Sequence, residues 1–217
     1  EPKPEREALT PQQQAALLDF MDTDAYCRRY RDLFIVLLHT GLRAGECAGL
    51  TIEDIHLHGG YLQVDHQVYY SQEQGGMVWA PPKTEKSCRK IPLPAPAMEA
   101  LQRRITAVRA AGRCEVIGYR RHFLFPCYHG SRPLHGVDFD RIFRNVHRRY
   151  RQSDGPPIPA LTPHILRHSY CTGLVHRGLD VKSVQYLMGH ASAGITLDIY
   201  SHVKYADVRE KLLDLAS

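Results

Sequence analysis

The sequence predicts an α+β fold, mainly α, in which helices enclose one small three-stranded antiparallel sheet. Three observations carry this expectation. Helix-period apolar segments with cap signals recur towards both ends of the chain, the stretch Ile52–Leu93 changes to alternating residues around a Gly-Gly turn, and no low-complexity linker divides the 217 residues. A chain of this length buries a real core, so one domain is expected. A composition of 43% hydrophobic and 24% charged residues is that of a globular rather than a disordered chain.

Thr10 followed by Pro11 reads as an N-cap and first helical position for a helix running to Met21. A second helix is expected from Ala25 to His39, carrying the apolar run LFIVLL and stopped by Gly41. RAGECAGL restarts a short helix, which leaves Arg43 at the junction of two helices. IHLHGGYLQVDHQVYY and GMVWAPPKTEKSCRKIPL supply the extended runs of the sheet. Pro94 and Pro96 introduce a helix to Ala111, and a basic helix follows from Val137 to Arg151. Beyond the loop SDGPPIP, helices are expected at Pro163–Arg177, at Val181–Met188 between Asp180 and Gly189, at Ala193–Tyr200, and at Tyr205–Leu215. The last places Val208, Leu212 and Leu215 on one apolar stripe that needs a cover.

No apolar run approaches the ~20 residues that span a bilayer, so no membrane partner is expected. The six cysteines form no CxxC pair, which points to reduced thiols in a cytoplasmic protein rather than to a zinc ribbon. Glu1 opens a charged, proline-containing start, which reads as a piece of a longer chain. Between Arg103 and Arg151 twelve arginines stand against Glu115, Asp138 and Asp140, a local surplus that suits a polyanion. Taken alone, the same run reads as a solvated helix face.

TPHILRHSY places His164, Arg167 and His168 within one and a half helical turns. As a metal site, His164 and His168 form an i, i+4 pair. The interior Ile-Leu-Arg lacks the glutamate of HExxH, and an arginine beside a divalent cation repels it. As structure, HxxR on a helix needs no function.

The surrounding motifs change that balance. Gly41-Leu42-Arg43-Ala44-Gly45-Glu46, Pro82-Lys83-Thr84, His164-Ile165-Leu166-Arg167-His168, Gly189-His190 and Ile199-Tyr200-Ser201-His202-Val203 follow in order. The series resembles the catalytic domain of the tyrosine recombinases, or phage-type integrases: TGLRxxE, a lysine in a β-hairpin, HxLRH, GH, and then the tyrosine. The likeness runs from Leu9 to the last helix. KTEKSCRKIPL and the MGH…DIYSHV ending are similar to integrases of conjugative transposons.

This resemblance implies that residues 1–217 are a catalytic domain, with core-binding and arm-binding domains lying outside it. It implies site-specific recombination of a mobile element through a 3′-phosphotyrosyl intermediate, with no metal and no cofactor. The implied partners are double-stranded DNA at attachment or transposon-end sites and further copies of the chain, four protomers on two duplexes. Guanidinium groups neutralise a phosphate with bidentate geometry, a role that falls to Arg43 and Arg167. His164 and His190 donate to or exchange protons with the phosphate oxygens and the nucleophile, and Glu46 supports the clamp. Tyr200 is the implied nucleophile, ten residues after His190. Lys83 is the implied acid for the departing 5′ oxygen, with Lys86 and Lys90 as neighbouring rivals. Arg141, Arg144, Arg148 and Arg149 on the basic helix, together with Lys86, are expected along DNA phosphates. A DNA-binding module without chemistry and a metal-dependent hydrolase using His164 and His168 are the competing readings.

Overall fold

The computed structural model describes residues 8–82, 87–112, 115–128 and 130–190. Lys83, Lys86, Tyr200, the two C-terminal helices expected from the sequence and the stripe at Val208, Leu212 and Leu215 lie outside these residues.

The first helix, α1 (Pro11–Thr23), starts as the sequence predicts, with Thr10 and Gln13 forming a reciprocal capping box. The expected second helix is divided. Asp24 accepts from the amides of Tyr26 and Cys27, which turns the chain into a 3₁₀ segment at Cys27–Tyr30 before α2 (Arg31–Thr40) begins. Apolar on every side, α2 is the central helix: Leu33 through Leu38 are all buried. It packs on α1, on α4 (Ala95–Ala111) and on α6 (Pro163–His176). Phe34 stacks on Phe143 of α5 (Gly136–Tyr150), with ring centroids 4.4 Å apart. Between α2 and the sheet lies α3 (Ala44–Gly49), and α7 (Val181–Met188) follows α6, capped by Asp180 as predicted.

The extended region differs from expectation in forming two sheets. Strands β1 (Ile55–His56), β2 (Tyr61–Val64) and β5 (Arg89–Pro92) make the three-stranded antiparallel sheet, in spatial order β1-β2-β5. The remaining strands, β3 (Gln67–Ser71) and β4 (Gly76–Ala80), form a separate hairpin. One arm breaks at Asp65-His66, because His66 turns inward to Gly49 O (2.7 Å) and to Asp65 (2.5 Å). The other arm breaks after Ala80, where Pro81 and Pro82 have no amide to donate to a ladder. The ladder resumes at Arg89, opposite Val64.

Among the described residues no helix is long and apolar enough to cross a membrane.

Candidate functional site

Three helix ends meet in one place. The last turns of α2 and α7 close on Gly41 and Gly189, both left-handed at φ +61° and +59°, while α3 opens at Arg43. Glycine is required at both stops. A Cβ on Gly41 would strike the Tyr170 ring, and one on Gly189 would lie 2.9 Å from Nη1 of Arg89. Helix C-termini present carbonyls without intrahelical partners and a partial negative charge, which suits cations.

Arginines occupy those carbonyls. Nε of Arg89 donates to Leu187 O at 2.8 Å, Nη2 of Arg167 donates to Met188 O, and Nη2 of Arg43 donates to Gly189 O at 2.8 Å. Three guanidiniums thus take three consecutive carbonyls of the corner that leads into His190. Nη1 of Arg167 also donates to Gly41 O at 2.5 Å, so this side chain bridges the ends of α2 and α7. His190 is itself anchored, its amide donating to Gln185 O at 3.1 Å and its carbonyl accepting from Gln185 Nε2 at 3.2 Å.

Among the described residues one carboxylate pairs with two of these cations. Glu46 accepts from both Nη atoms of Arg89, at 3.0 and 2.9 Å, and from Nη1 and the amide of Arg43, each at 2.8 Å. Burial works against its ionisation, but the hydrogen bonds and charge of Arg89, with the charge of Arg43, hold its pKa at about 2. Arg167 is pushed down to about 9, first by burial and then by the charge of Arg43. It therefore stays protonated at neutral pH. His190 falls from its ordinary 6.5 to about 4 through burial and the charges of Arg167, Arg43, Arg89 and His164, so its ring is neutral at pH 7.

The His190 shift has a measurable sign. Below its ordinary pKa the unfolded chain binds a proton that the folded ring refuses, so stability is intact above pH 6.5 and is lost as the pH falls towards about 4. Urea unfolding across this window should show that loss in the parent chain and a flatter profile in His190→Gln.

The structure brings Arg43, Glu46, Arg167 and His190 together, as the ordered motifs require. His164 opens to solvent one turn nearer the start of α6, while Arg167 is buried. Sequence reasoning missed Arg89. Its signal was legible: β5 alternates inward and outward, and Arg89 takes an inward position beside Ile91, where an aliphatic residue is expected. A charged residue at a core register marks a buried partner.

The basic helix is less open than its composition suggests. Arg141 and Arg132 both pair with Asp138, Arg149 with Asp24, Arg103 with Asp32, and Arg120 with Asp54 and Asp65. Acids distant in sequence therefore pair with three arginines of the span, Arg103, Arg120 and Arg149. Arg144 and Arg148 are exposed. Among the described residues one group of three candidate metal ligands lies within 4.8 Å, namely Asp54, Asp65 and His66. Neither His164 nor His168 belongs to it, and Arg120 already pairs with both of its carboxylates.

Comparison with known proteins gives a consistent picture. The model of the phage integrase family matches residues 7–207. The transposase from transposon Tn916 of Enterococcus faecalis is 32% identical over 197 residues, which cover 91% of this chain and 48% of that protein. Tyrosine recombinase XerD of Halalkalibacterium halodurans is 32% identical over 205 residues, 94% of this chain and 59% of the relative. The chain thus spans about half the length of the curated relatives it matches. Among solved structures, the Tn1549 transposon integrase in complex with transposon right end DNA superposes with a TM-score of 0.89 at 31% identity, covering 100% of this chain and 68% of that one. XerA recombinase shares the fold at a TM-score of 0.71 and 21% identity, covering 100% of this chain and 66% of its own.

Proposed function

This chain belongs to the phage integrase family, and on that premise we propose that it is the catalytic domain of a tyrosine recombinase that integrates and excises a mobile element. The observation that supports this best is electrostatic. Among the described residues, three guanidiniums and one carboxylate gather around the corner at Gly189, and Arg43 keeps 39% of its side chain exposed. A scissile phosphodiester supplies the missing negative charge, and its charge grows in the transition state.

In this reading Arg43 and Arg167 grip the nonbridging oxygens. The Tyr200 oxygen bonds to phosphorus and its proton passes to a neighbouring imidazole. The P–O5′ bond breaks, and O5′ takes a proton from Lys83. His190 is suited to proton exchange, because burial and the arginine charges hold its pKa low and the incoming phosphate offsets the second of these. His164, at the solvent edge of the same region, donates to the phosphate. Glu46 fixes the direction of Arg43. The phosphotyrosyl bond conserves the energy of the broken ester, so rejoining needs neither a nucleotide nor a metal.

The partners proposed are double-stranded DNA and further copies of the chain, four acting on two duplexes, with cytoplasmic action supported by the free thiols of Cys27, Cys47, Cys88, Cys127 and Cys171. Of the basic-helix arginines, Arg144 and Arg148 are the better phosphate contacts and Arg141 the poorer, because Asp138 holds it. Arg144→Ala should lower the slope of log affinity against log salt by about 0.9, with no change in sequence preference. A titration series at several salt concentrations measures this.

The deciding experiment uses a nicked duplex that loses a short fragment on cleavage and so traps the intermediate. A covalent protein–DNA band is expected in excess chelator. Binding without a band would favour a silent DNA-binding module, and cleavage only with added divalent metal would favour a hydrolase.

A further inference from the structure

Arg89 is absent from the ordered motifs, yet it is the most enclosed charge of the site, with a side chain 0% exposed. Its hydrogen bonds go to three separate segments. Both Nη atoms hold Glu46, which fixes Arg43 on α3; Nη1 also donates to Ser87 O at 3.0 Å, just ahead of β5; and Nε donates to Leu187 O at the corner before His190. The neighbouring Lys90 amide donates to the Tyr186 hydroxyl at 3.1 Å, a second tie between β5 and α7.

Stability alone does not account for this arrangement. Arg89 stands in register with Val64 and beside Ile91, among aliphatic neighbours. Replacing a buried ion pair by packed apolar residues is commonly neutral or favourable. What an aliphatic residue there cannot do is fix three loop ends relative to one another through directed bonds. A guanidinium fork can, because its donors are rigid and planar.

We propose that Arg89 is a positioning residue of the strand-cleavage site, setting Arg43 through Glu46 and the His190 corner through Leu187, with Ser87 O fixing the fork's own orientation. The proposal rests on the recombinase reading above. Arg89 does not touch the phosphate; it sets the geometry of the groups that do.

The test compares the parent protein with Arg89→Lys, which keeps the charge and loses the fork, on two trapping duplexes. One carries the natural scissile phosphate, and the other a methylphosphonate that is neutral there and so depends less on a well-aimed cation. On the natural phosphate, Arg89→Lys should form adduct about a hundredfold more slowly, the scale of an ångström-sized misplacement. DNA affinity should be unchanged. On the methylphosphonate the gap to the parent should narrow at least about tenfold, because the clamp matters less. Equal losses on both duplexes would show that Arg89 only holds the fold, and no loss on either would show that it is dispensable; each overturns the proposal. If Arg89→Lys does not fold, as judged by thermal unfolding, the double variant Arg89→Gln with Glu46→Gln keeps a hydrogen-bonded neutral pair and carries the same comparison. Absence of adduct from the parent protein on both duplexes would overturn the recombinase reading itself, and this proposal with it.

Discussion

Tyr200→Phe is expected to abolish the covalent protein–DNA product on a nicked substrate and to leave DNA binding intact. The substitution removes one oxygen and little volume, so folding and contacts to the duplex should persist while the proposed nucleophilic atom is gone. A phenol has a pKa near ~10, so its attack at neutral pH depends on nearby cations and a proton acceptor. In the proposed site the arginines of the corner would supply the cations and the neutral ring of His190 the acceptor. Tyr170, whose ring packs against Gly41, is no substitute: burial pushes its hydroxyl up to about 12. Adduct persisting in Tyr200→Phe, read on a denaturing gel, would move the nucleophile elsewhere, with Tyr205 the next residue to replace.

Arg43→Lys is expected to lower the rate of adduct formation by about 10²–10³, the cost of losing one preorganised donor to a developing oxyanion. The charge survives, but one guanidinium can bridge Glu46 and Gly189 O while turning further donors outwards, and an ammonium cannot. Because the side chain is 39% exposed, the unfolding temperature should change little. That separation of chemistry from folding makes Arg43 a cleaner probe than Arg167, which is buried between two carbonyls. Single-turnover cleavage beside a thermal melt gives both quantities; equal cleavage rates would remove Arg43 from the clamp.

Local signals in the sequence are read correctly where the determinant is itself local. Thr10, Asp180, Gly41 and Gly189 start or stop helices through their own side chains or backbone, and those boundaries hold. The convergence of Arg43, Glu46, Arg167 and His190 is legible as a resemblance, although no local rule places them together. Features set by partners far along the chain are not legible. The hairpin splits because His66 reaches Gly49, and Arg149, Arg103 and Arg120 are drawn to Asp24, to Asp32, and to Asp54 with Asp65. A count of charges within one stretch misses such pairings. Arg89 escapes for a related reason: its meaning depends on which face of β5 is inward and on Glu46, 43 positions earlier.

The acceptors at the end of α7 are peptide oxygens, and every residue type supplies one. Leu187 and Met188 are therefore interchangeable with other helix-compatible residues of similar bulk without disarming the corner. Mutational fragility is shifted onto Gly41 and Gly189, where any added methyl meets a ring or a guanidinium. A library diversified at these four sites would recover active clones with varied residues at the first two and glycine alone at the others.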